Sequence, residues 1–169
     1  MNLGELVGII IVLFVLGIGI AALTVLLDVL FPRFIRRARN TAEKMPIRSA
    51  IVGAINFIFF SIISLAAFAI AQEMEKDSAR DLAGLPRLFG GIVVLFLFAF
   101  IAFGIAAIAR WIGERSAPEA SSPRQMINGI VTLELAALAP LVGWFLVPTL
   151  AILVGYGAVI IALVWRREA

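Results

Sequence analysis

Two carboxylic acids stand where apolar sequence leaves little water around them. Glu134 lies in Thr132-Leu133-Glu134-Leu135, with no basic residue within one helical turn. A charged side chain at membrane depth is strongly disfavoured, so an ionisable residue there is a candidate for function. Glu134 could carry a proton or bind a cation. It could equally be a protonated or hydrogen-bonded carboxyl that staples helices together. At 100° per residue, Asn128, Thr132 and Ala136 share one helix face, and Glu134 falls about 160° from Thr132. The Asn/Thr/Ala face and Glu134 must therefore meet different surroundings. One packs inside a bundle, and the other meets a second subunit, a cavity or lipid headgroups.

Asp28 is the second acid. It precedes Pro32 by one turn and shares a face with Gly17, Ala21 and Thr24. Such a stripe of small residues suits close helix packing. At the end of an apolar run, Asp28 is expected to pair with an arginine of the basic segment that follows, or with Arg110. Asn56 shares a face with Ser49 and Ala67 and, more loosely, with Gly53 and Ser64, which predicts an interhelical hydrogen bond worth about 0.5–2 kcal/mol.

Other chemistries are excluded by residue type. The chain has no cysteine and no histidine. That removes His-ligated haem, structural zinc, iron–sulfur clusters, thiol nucleophiles and Ser-His-Asp triads. No metal or other cofactor is expected, and no catalytic residues are assigned. The glycine pairs Gly17-x-Gly19, Gly90-Gly91 and Gly155-x-Gly157 lack the preceding strand that a nucleotide-binding loop requires.

The elements that must position these residues are membrane helices. Hydrophobic residues make up 63% of the chain, against about half in a soluble domain, so its outer surface must be apolar as well. The expected fold is an all-α polytopic bundle of about five transmembrane helices in a single domain, 1–169. A span needs about 20 residues. Apolar runs cover 6–31, 49–71 and 88–112. The last run, 126–165, is too long for one span and suits two. Pro140 and Gly143 mark its break, giving a short hairpin of helices 126–139 and 145–165 with Pro148 in the first turn of the second. Trp144 and Trp165 bracket one hydrocarbon thickness of about 30 Å. The shorter helix of the hairpin could cross at a tilt, thin the bilayer locally or be half of a re-entrant loop. No fixed-period repeat is visible.

The connectors differ in charge. Residues 33–48 carry Arg33, Arg36, Arg37, Arg39, Lys44 and Arg48 against Glu43 alone. Phe34, Ile35, Ala38, Ala42 and Met45 recur there at helical spacing, so 33–45 reads either as an amphipathic helix on the membrane surface or as a solvated basic turn. Residues 72–87 are rich in acids, and 113–125, with Pro118, Pro123 and a serine pair, read as a loop. The start, Met1-Asn2-Leu3-Gly4-Glu5, lacks a basic region and leads into a run too long for a cleavable signal, so the first helix is expected to be retained.

The net charge of +3 comes from basic residues beside apolar runs, which points to membrane orientation and anionic headgroups as partner, not nucleic acid. With the first connector inside, eleven of the fourteen basic residues lie inside, including Arg110, Arg115, Arg124, Arg166 and Arg167. This bias favours five crossings, or three plus a re-entrant hairpin, with the N-terminus outside and the C-terminus cytoplasmic.

Several local motifs are shared with a known group. Phe31-Pro32-Arg33, Pro46-x-Arg48, Val52-Gly53-x-x-Asn56, Gly113-Glu114-Arg115 and Leu138-x-Pro140-x-x-Gly143-Trp144 resemble a bacterial multi-pass membrane module, uncharacterised in function, that in some chains is joined to bactofilin-like, polymer-forming domains. The resemblance implies a protein of the bacterial inner membrane with a scaffolding role. Its motifs are turns and helix ends. The resulting expectation is a non-enzymatic accessory subunit or scaffold that forms a homo-oligomer or joins other membrane subunits. The alternative is a small transporter or channel component using Glu134, with Asp28 or Asn56 contributing. Composition also predicts that the expressed chain sediments with membranes and resists alkaline carbonate extraction, whereas recovery in the aqueous fraction would refute the membrane assignment.

Overall fold

Apolar runs become helices, and Pro32 and Pro46 mark where one helix gives way to the next. A computed structural model describes residues 2–76, 80–139 and 142–164. It contains α1 (Leu3–Leu30), α2 (Pro32–Lys44), α3 (Pro46–Lys76), a 3-10 turn (Arg80–Leu82), α4 (Gly84–Ser116), α5 (Ser122–Leu138), a π-helical turn (Val142–Leu146) and α6 (Val147–Val164). No strand occurs among the described residues. Four helices, α1, α3, α4 and α6, are long and apolar enough to cross a membrane. Pro140, Leu141, Asp77, Trp165, Arg166 and Arg167 lie outside the described residues, as do the side chains of Arg80 and Trp144.

Pro32 and Pro46 each open a helix, where a missing N–H leaves no bond unmade. Single residues, Phe31 and Met45, link α1 to α2 and α2 to α3. The polar segments 72–87 and 113–125, read as connectors, are largely helical. α3 continues to Lys76, α4 starts at Gly84 and ends at Ser116, and α5 starts at Ser122. A helix need not stop where apolar sequence stops, because its backbone bonds remain internal and charged pairs one turn apart support it. Lys76 with Glu73 and Arg110 with Glu114 are such pairs. What remains of the second connector is a tight turn closed by the Gln125 side chain, which donates to the carbonyls of Ala117 and Pro118.

α2 does form, but its apolar face is not free to enter lipid. Ile35, Ala38 and Ala42 have no exposed surface, and they pack with residues of α4, α5 and α6. Phe31 and Phe34 meet Phe103 edge-on at 5.4 and 5.3 Å between ring centroids.

Lipid tails are as apolar as leucine, so helices gain little by hiding leucine from lipid; close backbone approach must supply the attraction. Glycines provide it at three crossings. Between α3 and α6, Gly53 lies against the Leu153 carbonyl and Gly157 against the Ser49 carbonyl. Between α4 and α6, Gly104 meets Gly155. Between α4 and α5, Gly113 meets the Gln125 carbonyl and Gly129 the Ala109 carbonyl. A Cβ at any of these would strike backbone. The registers make α3 antiparallel to α6 and α4 antiparallel to α5. Ser64 adds a hydrogen bond from α3 to the Gly90 carbonyl of α4 at 3.1 Å.

Among the described residues, the buried and half-buried positions of α1 all lie in its second half. Thr24 and Asp28 are buried and Gly17 and Ala21 half-buried, whereas Ile11 and Phe14 are 57% and 70% exposed. Gly157→Ala is expected to lower stability in detergent by about 1–3 kcal/mol through overpacking. Gly91→Ala, where a Cβ meets nothing within 4 Å, is the matched control and should leave the thermal unfolding midpoint unchanged.

Candidate functional site

The polar residues of the bundle gather at the end where α1 finishes, α4 finishes and α5 begins. Asp28, brought inward by the small-residue face of α1, accepts hydrogen bonds from Arg110 Nη1 at 2.5 and 2.8 Å. Both side chains are only 9% exposed. Arg110 is committed on every side: its Nε donates to Glu114 at 2.9 Å and its Nη2 to the Ser122 hydroxyl at 3.1 Å. The second oxygen of Glu114 receives Arg39 of α2 at 2.7 Å. Arg39 also bonds Glu43 at 2.6 Å, and Glu43 is reached by Arg115 at 3.2 Å. The Arg115 guanidinium in turn lies 5.1 Å from the centre of the Trp111 ring.

Asp28, Arg110, Glu114, Arg39, Glu43 and Arg115 thus form one continuous chain of alternating charge. Three carboxylates meet three guanidiniums, so the chain has no formal net charge. It ties α1, α2 and α4 together and reaches α5 through Ser122. Arginine suits this role because its planar fork can satisfy several acceptors at once. Each of these three carboxylates is engaged by at least one guanidinium. Among the described residues, no group of three or more acidic side chains could hold a metal ion. An apolar cleft of about 240 Å³ between Phe60, Val93, Phe96, Leu97, Phe100 and Tyr156 has no charged group in its lining.

The other residues singled out by sequence go elsewhere. Glu134 faces α1, its carboxylate lying against Gly17, and its buried Oε1 has no hydrogen-bond partner among the described residues. Asn128 and Thr132 occupy the opposite, exposed face of α5, and the Thr132 hydroxyl donates to the Asn128 carbonyl of its own helix. Asn56 donates to the Val52 carbonyl of its own helix at 3.0 Å, so the interhelical hydrogen bond of α3 comes from Ser64 and not from Asn56. Asp28, Glu134, Asn56, Asn128 and Thr132 therefore do not form one site.

The basic residues divide. Arg33, Arg36, Arg37, Lys44 and Arg48 are exposed, whereas Arg39 turns inward to the ion-pair chain. Sequence reasoning assigned Arg39 to the headgroup set and gave Glu43 and Glu114 no role. The available signal was the four-residue spacing of Arg39–Glu43 and Arg110–Glu114, which lets each pair form on one helix.

No protein family, curated protein or solved structure matches the chain.

Removing one partner of a buried pair leaves the other charge uncompensated, at a cost of about 3–5 kcal/mol. Asp28→Leu should therefore destabilise the protein in detergent by that order. Asp28→Leu with Arg110→Leu should recover a substantial part, because Glu114 keeps Arg39. A double variant no more stable than the single, by thermal unfolding, contradicts the pairing.

Proposed function

We propose that this chain is a non-enzymatic integral protein of the bacterial cytoplasmic membrane, working as an accessory subunit or scaffold through helix–helix contacts with further copies or with other membrane subunits. The observation that carries this reading is the outer half of α1. From Leu6 to Leu16 it is an apolar helix whose described large side chains, from Leu6 at 41% to Phe14 at 70%, are exposed, while its second half is anchored through Asp28. A helix held at one end and bare at the other offers a surface to neighbouring membrane helices. The self-neutralising ion-pair chain supports the non-enzymatic part, since its acids and bases are engaged with one another. The resemblance of its turn and helix-end motifs to bactofilin-joined membrane modules, read from the sequence alone, points the same way.

The same reading takes α5, antiparallel to α4 and 17 residues long, as a fifth crossing of about 26 Å. Its orientation places the N-terminus outside and the arginine-rich end of the bundle in the cytoplasm, following the bias of basic residues.

A second reading is favoured by one observation. The Oε1 of Glu134, buried beside Gly17 and without a hydrogen-bond partner among the described residues, suits a proton or cation site in a small transporter or channel component.

In mild detergent the purified chain should run as an assembly larger than its 18.2 kDa mass, or bring other membrane proteins with it. A lone monomer across several detergents contradicts the scaffold reading. Proton or cation flux in liposomes that disappears with Glu134→Gln would favour the transporter instead, and absence of flux in both proteins removes that alternative.

A further inference from the structure

Helical spacing places Arg33, Arg36, Arg37, Asn40 and Lys44 within about 100° on one side of α2. Ile35, Ala38 and Ala42 lie on the other side and are fully covered by the bundle. An amphipathic helix ordinarily holds a membrane surface by sinking its apolar face into it. α2 has no such face to spare. What it offers is a cationic ridge backed by a packed protein core.

The acids at this end do not neutralise that ridge. Asp28, Glu43 and Glu114 are committed to Arg110, Arg39 and Arg115. Glu119, in the α4–α5 turn, is exposed at the same end, as is Arg124. Among the described residues no carboxylate pairs with Arg33, Arg36, Arg37 or Lys44, and Arg48, in the first turn of α3, is exposed as well.

Exposed apolar residues flank the ridge. Leu30 and Phe31 are 59% and 47% exposed on one side, and Ile47 is 74% exposed on the other. Residues of that kind belong against lipid, so the anions nearest the ridge are the headgroups of the adjoining leaflet.

We propose that the outward face of α2 is a docking surface for anionic phospholipid headgroups, bound by charge and not by insertion. The proposal rests on reading the chain as membrane-embedded. Arg33, Arg36 and Arg37 supply the core of the surface, and Lys44 and Arg48 extend it. Arg39, on the same helix with the same charge, takes no part because Glu43 and Glu114 hold it.

The test is native mass spectrometry of the full chain in detergent with equal amounts of phosphatidylglycerol and phosphatidylcholine. Phosphatidylglycerol should be retained preferentially. About 1 kcal/mol per surface cation corresponds to roughly fivefold in affinity for each arginine removed, so R33Q/R36Q/R37Q should abolish most of the preference. R39Q should lower the thermal midpoint yet keep the lipid preference, which separates loss of the ridge from loss of the fold. Raised salt should weaken binding to the unmodified chain. An unchanged preference in the triple variant overturns the proposal. So does no preference in the unmodified chain, or single-stranded DNA that binds the ridge and is not displaced by phosphatidylglycerol. A chain that sediments with membranes but shows no preference refutes the ridge alone, whereas one recovered in the aqueous fraction refutes the membrane reading itself.

Discussion

Inside lipid, an apolar side chain gains almost nothing by leaving a lipid tail for another helix, so a bundle must be held by what lipid cannot offer: backbone in contact with backbone. The crossings of this protein are built on that constraint. Gly53 with Gly157, Gly104 with Gly155 and Gly113 with Gly129 bring three helix pairs so close that carbonyls of one helix occupy the space a Cβ would need on the other. α6 takes part in two of these crossings and α4 in two, which makes them the axis on which the remaining helices hang. The small buried residues beside the crossings, Ala106, Ala107, Ala109 and Ala158, extend the same close approach along the interfaces.

The second device works where the glycines do not. Among the described residues α1 is buried in its second half alone, and Asp28 there is an ionic anchor. Asp28 sits in a low-dielectric setting where an unpaired charge would be severely penalised, and Arg110 answers it from α4. The pair does not stand alone. Glu114, Arg39, Glu43 and Arg115 continue it outward to more exposed positions, from 9% exposure at Arg110 to 66% at Arg115. Charge is thus handed from a dry interior to a wet edge with an opposite charge at each step. The cation–π contact with Trp111 completes the outer end.

These two devices leave a particular division of surfaces. The interior is closed by backbone contact and by a neutral ion-pair chain. Among the described residues, the first half of α1 and the cationic side of α2 are exposed. The large side chains that remain exposed on α1 and the basic residues on the outward side of α2 lie, among the described residues, apart from both devices. α2 connects the two themes: its apolar side is part of the core, Arg39 and Glu43 of its flank belong to the ion-pair chain, and Arg33, Arg36, Arg37 and Lys44 look outward.

Much of the helical plan was legible in the residues. Apolar runs of span length and the face shared by Gly17, Ala21, Thr24 and Asp28 are local patterns, and the shared face follows from 100° of turn per residue. The contrast between Glu134 and the Asn128/Thr132 face was legible for the same reason, but not which of the two looked inward. Helix ends were misjudged at Lys76, Gly84, Ser116 and Ser122, because hydrophobicity marks the edge of the lipid and not the edge of the helix. Tertiary structure alone decided the rest. Asp28 and Arg110 stand 82 residues apart, and Glu43 and Arg115 stand 72 apart. Whether the apolar side of α2 met lipid or protein depended on where α4 and α6 came to rest. Periodicity along a chain states which side of a helix is apolar; only the packing of distant helices determines what covers it.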